Sequence, residues 1–119
     1  MTIRSIAEFR VRPGEAERFE DAYRRGRFLE RAVTNPGFIR GELLRSAEDP
    51  DVFVVVAEWR SEDDYRAWQA AYHTLPQNHS SAMLATLVDA PRSMVARPLL
   101  AADRSTTIAP VDPEQERPQ

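Results

Sequence analysis

The segment Val52-Phe53-Val54-Val55-Val56-Ala57-Glu58-Trp59 is β-branched or aromatic almost throughout, and both of its side-chain rows are apolar. In a strand, Val52, Val54 and Val56 point to one side, and Phe53, Val55, Ala57 and Trp59 to the other. A strand with one wet face alternates apolar with polar residues; this one predicts burial on both faces. Helices can cover one side. Something else must cover the second, and another copy of the chain is the economical candidate.

Just upstream, Glu48-Asp49-Pro50-Asp51 is turn chemistry, so Phe38–Arg45 is expected to pair antiparallel with this segment through a hairpin. Asn35-Pro36-Gly37 closes whatever precedes it, because a residue before proline avoids the α region. Before that stop, Ala16, Phe19, Ala22/Tyr23, Gly26, Leu29 and Val33 recur at helical spacing, with Glu15, Arg18, Asp21 and Arg25 on the wet side. This pattern predicts one helix. Ahead of Pro13-Gly14, Ile3, Ala7, Phe9 and Val11 alternate with Arg4, Glu8 and Arg10, which predicts a first strand.

Downstream, Ser61 followed by Glu62, Asp63 and Asp64 makes a helix start with an acidic first turn. Tyr65, Trp68, Tyr72 and Leu75 form its stripe, Pro76 interrupts, and a shorter helix aligns His79, Met83 and Leu87. A last strand spans roughly 93–100. The order β-α-β-β-α(α)-β predicts an α+β, ferredoxin-like fold: a four-stranded antiparallel sheet with helices on one face. Residues 1–100 form that domain. Residues 101–119 are a polar tail with four acids, two arginines and three prolines, too poor in apolar side chains to order itself.

A length of 119 residues predicts one domain. There is no cysteine, which removes disulfides, thiolate catalysis and Cys-based metal sites. All 16 basic residues are arginine, so no lysine is present to form a Schiff base. The formal charge of −3 and the absence of a strongly basic segment leave no footprint for nucleic-acid binding. No apolar run approaches the ~20 residues that span a bilayer. The opening residues, MTIRSIAEFRVRPG, lack the pattern of a secretory signal, so a cytoplasmic location is expected.

Asn35-Pro36-Gly37-Phe38, Glu42-Leu43-Leu44-Arg45, the run from Phe53 to Glu62, and Tyr65-Arg66-Ala67-Trp68 together resemble the antibiotic-biosynthesis monooxygenase superfamily over about residues 3–100. The resemblance implies a dimeric α+β barrel, with ferredoxin-like protomers paired sheet to sheet. It also implies one of two activities. The first is cofactor-free oxygenation of aromatic phenols or anthrones in natural-product biosynthesis. That branch uses a tryptophan matching Trp59, a tyrosine matching Tyr65, and an asparagine where this chain has Val55. The second is haem binding and degradation, which uses a tryptophan matching Trp68, a histidine near the position of His79, and a first-strand asparagine that this chain lacks.

Trp59, Tyr65 and His79 are therefore the candidate catalytic residues. Phe9, Val55, Trp68, Tyr72 and Met83 are the expected substrate-binding residues. Each also has a plainer reading. Trp59 is a large core residue, and Tyr65, Trp68 and Tyr72 sit at the spacing of an ordinary core stripe. His79 shares an apolar line with Met83 and Leu87, where a satisfied half-buried histidine is common. As a functional group it would be a general base or an axial haem ligand. His73 lies near a helix C-terminus, where partial positive charge helps without any function. Two histidines without arranged carboxylates make no metal site. The expectation is an enzyme without cofactor, with haem as the alternative, acting on a small aromatic molecule and molecular oxygen as a homodimer. A non-catalytic dimeric accessory protein is the reading from a different class.

Overall fold

A computed structural model describes residues 2–72, 78–105 and 109–110, with the side chains of residues 72, 78, 79, 109 and 110 outside that description. Four strands form one antiparallel sheet: β1 (Ile3–Arg10), β2 (Phe38–Arg45), β3 (Val52–Trp59) and β4 (Arg92–Ala96), in the order β2-β3-β1-β4. The helices are α1 (Ala16–Gly26) and α2 (Phe28–Val33) before the β2–β3 hairpin, with α3 (Glu62–Tyr72) and α4 (Asn78–Leu84) after it. This is the ferredoxin-like α+β arrangement.

The hairpin is closed by side chains as the turn composition predicts. Ser46 Oγ accepts from the Asp49 backbone N–H at 3.0 Å, and Asp49 Oδ1 accepts from the Asp51 N–H at 3.0 Å. The register follows: Leu44 pairs with Val54, and Val56 with Ile6 on the other side.

Ile3, Ser5, Ala7 and Phe9 of β1, with Phe53, Val55, Ala57 and Trp59 of β3, face the helices. Phe19 of α1 is 0% exposed and lies against Phe9 and Phe53, with ring centroids 5.3 and 4.6 Å away. Each such ring contributes roughly 1.5–3 kcal/mol by leaving water. A second cluster gathers Ile3, Ala32, Ala57, Trp59 and Tyr65. On the far face, Val54, Val56 and Ile6 are half-buried, and Leu44 and Met94 are exposed beside them. Both rows of β3 are thus apolar in the fold as in the sequence; among the described residues the helices pack on the first, and of the second Val52 is buried while Val54 and Val56 are half-buried.

Two details differ from the pattern expected of the sequence. The single helix over 16–33 is two helices, because Arg27 takes the left-handed conformation at φ 53° and its N–H closes on Arg24 O at 3.1 Å. That residue resets the helical phase. Phe28 and Ala32 turn inward at i, i+4, and Val33 is left 63% exposed instead of continuing the stripe. The last strand ends at Ala96, short of Leu100: Pro98 has no N–H to continue a ladder, and Leu99 and Leu100 are exposed. Leu100–Ala101 (β5) instead pairs with Ala109–Pro110 (β6), outside the main sheet.

Candidate functional site

The sheet and helices do not close completely on each other. Between the two core clusters lies a cavity of about 400 Å³. Its floor is the helix-facing row of β1 and β3, including Ala7, Phe9, Val55 and Ala57; its walls come from all four helices. The chain after α4 is tied to the end of β1 by hydrogen bonds from Arg12 N–H to Thr86 O and from Val88 N–H to Arg10 O, both 2.8 Å. These hold Met83 over the floor.

An aromatic wall surrounds Trp59, which is 2% exposed at the end of β3. Phe38 meets it edge-on at 5.2 Å, Tyr65 lies at 5.5 Å, and Trp68 lies nearly parallel at 6.3 Å. Tyr65 is placed by the start of α3, where Ser61 Oγ accepts the Asp64 N–H at 3.1 Å and donates its own proton to Asp64 Oδ2 at 2.9 Å. That cap leaves the next residue pointing down onto the sheet. Burial pushes the Tyr65 hydroxyl above its usual range, with the neighbouring Arg66 guanidinium partly opposing the shift. At neutral pH Tyr65 is therefore a hydrogen-bond donor and not a base.

Of the residues expected to form a site, the fold brings Phe9, Val55, Trp59, Tyr65, Trp68 and Met83 to this one cavity. The side chains of Tyr72 and His79 lie outside the described residues. The indole N–H of Trp59 is not directed at the cavity space: it donates to Ser5 Oγ at 3.0 Å. Ser5, Gln69 and Ser93 complete the polar part of the lining, and the sequence reading missed all three. Ser5 had a visible signal, being a hydroxyl at an inward position of an otherwise apolar alternation. Gln69 follows Tyr65 by one helical turn. No residue in the described lining carries a formal charge. Among the described residues no group of three His, Asp or Glu is placed to hold a metal ion, and no buried side-chain polar atom lacks a partner.

The family model for antibiotic biosynthesis monooxygenases matches residues 2–75, well over half of the chain. The chain belongs to the antibiotic biosynthesis monooxygenase family. Solved structures agree on the fold. A conserved protein from Methanosarcina mazei Go1 superposes with a TM-score of 0.69 at 18% identity, covering 82% of this chain and 92% of its own. A Mycobacterium tuberculosis protein superposes at 0.66 and 18% identity, covering 87% and 100%. SnoaB, a cofactor-independent oxygenase from Streptomyces nogalater, superposes at 0.61 and 27% identity, covering 82% and 94%. No curated protein matches the sequence. Among the described residues, no helix of this family member is long and apolar enough to cross a membrane.

Proposed function

We propose that this protein is a cofactor-independent monooxygenase that oxidises a flat aromatic phenol or anthrone to a quinone. The observation that carries this reading is an aromatic-walled cavity with neutral donors and no charged side chain in its described lining. Membership of a family that includes the SnoaB oxygenase supports it.

A 400 Å³ space lined by rings suits a planar polycycle better than a flexible or highly charged substrate. An anthrone enolate is electron-rich enough to reduce oxygen itself. Its CH₂ carbon gives up four electrons in becoming a carbonyl, and O₂ accepts four. One oxygen atom stays on carbon and the other leaves as water, so no outside reductant is consumed. The protein's tasks are to desolvate the anion, hold it beside oxygen, and offer donors to its oxygen. Tyr65, protonated at neutral pH, is one such donor; His79 is the candidate base. Phe9, Val55, Trp68, Tyr72 and Met83 would grip the ring system. The reading includes a homodimer that covers Val54 and Val56.

An anthrone supplied with oxygen and no added flavin or metal should yield the quinone, and the yield should survive chelators. Trp59→Phe keeps an aromatic ring but removes the N–H that Ser5 Oγ accepts, and is expected to lower turnover by no more than about tenfold, the effect of one hydrogen bond of ~1.4 kcal/mol. No quinone across a panel of anthrones and naphthols would overturn this function. So would a sharp Soret band at one haem per protomer with oxidation that depends on it.

A further inference from the structure

The indole of Trp59 has one proton to donate, and Ser5 Oγ accepts it at 3.0 Å. The geometry behind this is set by the sheet. Ser5 pairs with Ala57 and Trp59 with Ile3 across the same two strands, so Ser5 and Trp59 are diagonal neighbours on the helix-facing side. At 2% exposure, Trp59 reaches no ligand with its N–H unless Ser5 is displaced.

Ser5 is different. It is buried, and it lines the cavity together with Tyr65, Gln69 and Ser93. A hydroxyl that accepts one bond still has its own proton to give. That proton cannot point back at the indole nitrogen. The backbone around it belongs to β1, an inner strand paired with β3 on one edge and β4 on the other, so the nearby carbonyls already accept bonds within the sheet. Among the described residues, the side chain that bonds to Ser5 is that of Trp59. Accepting a bond also polarises the hydroxyl and makes it a stronger donor.

We propose that the Ser5 hydroxyl is the donor that meets a ligand oxygen at the polar end of the cavity, and that Trp59 is a positioning residue acting through it. This rests on the reading of the cavity as a site for oxygen-bearing arenes. It adds which atom recognises the oxygen. The two strands make a two-step relay: Trp59 Nε1–H to Ser5 Oγ, and Ser5 Oγ–H to the ligand. A flat ligand seated against Phe9 and Val55 with its oxygen toward Ser5 satisfies both parts of the lining at once.

The test compares 1-naphthol with naphthalene, which have the same ring system with and without an oxygen, by calorimetric titration of the full-length protein. The parent should prefer 1-naphthol by about tenfold, the effect of one well-placed hydrogen bond. Ser5→Ala should bring the two affinities to within about twofold, because the ligand oxygen loses the partner that set 1-naphthol apart from naphthalene. Ser5→Thr restores a hydroxyl and should restore the preference. Trp59→Phe should lower the preference less than Ser5→Ala does, because the hydroxyl remains but is no longer held. Full preference in Ser5→Ala, with both arenes still bound, overturns the role of Ser5 and leaves the aromatic site standing. Failure of the parent to bind either arene overturns the site itself, and this inference with it.

Discussion

Tyr65 shows how a single side chain's surroundings decide its chemistry. Its ordinary value is 10.0, and burial raises it. Above pH 10 the unfolded chain has released a proton that the folded protein still holds. The stability present below that pH is therefore lost as pH rises toward the raised folded value. Urea midpoints measured across the alkaline range should fall with pH in the parent, and fall less steeply in Tyr65→Phe. Equal slopes in the two proteins would show that Tyr65 is not desolvated as the fold places it. Neighbouring Trp59 teaches the complementary lesson. Its identity was legible in the sequence, but the commitment of its N–H was not, because Ser5 lies 54 residues away and meets it only across a strand pair.

At the scale of elements, the junction between the first helical pair and the sheet is set by Gly37. A Cβ there would overlap the side chain of Asp64, the residue whose carboxylate accepts from the Ser61 hydroxyl at the start of α3. The Gly37 carbonyl also accepts the Arg60 N–H at 2.7 Å, and its own N–H donates to Asn35 Oδ1 at 2.8 Å. The turn that ends α2 is thereby locked against the cap that begins α3. Gly37→Ala should cost about 1–3 kcal/mol, the scale of a small-to-large change in a packed site, read as a lower urea midpoint with an unchanged slope. An unchanged midpoint would mean that Asp64 moves aside freely. The break at Arg27 belongs to the same scale. A non-glycine residue in the left-handed region costs on the order of 1 kcal/mol, and no local propensity announces it. The fold accepts it because the new phase brings Phe28 and Ala32 inward.

For the whole molecule, the proposed homodimer rests on the face of the sheet turned away from the helices. Val56, Ile6 and Met94 lie in one register row across β3, β1 and β4, ended on β2 by Glu42, and Leu44 and Val54 lie in the next, beside Glu8 and Arg92. Met94 is 58% exposed in the single chain. An apolar strip bordered by charges suits a protein partner, and the proposed homodimer would supply one. Arg4 and Arg40, both bound to Glu58 at 3.2 and 3.1 Å, keep the end of that face polar. Sedimentation should find a dimer at micromolar concentration, and Val54→Asp should dissociate it by placing an unpaired charge in the interface. A stable monomeric parent, or a Val54→Asp protein as dimeric as the parent, would count against the pairing.

The order of the four sheet strands, the hairpin turn, the two apolar rows of β3 and the capped start of α3 were all determined by the sequence alone. Each is carried by neighbours in the chain, through period two, period 3.6, or a hydroxyl three residues from the N–H it caps. Trp59, Tyr65, Phe9 and Met83 were likewise identifiable as inward-facing. Only the tertiary structure decided that a cavity separates the two core clusters, that Phe28 rather than Val33 faces inward, and that Ser5 stands between Trp59 and that space. These depend on how strands far apart in the chain come into register and on where one left-handed residue resets a helix. Both are settled by packing across the whole fold, which a local pattern does not encode.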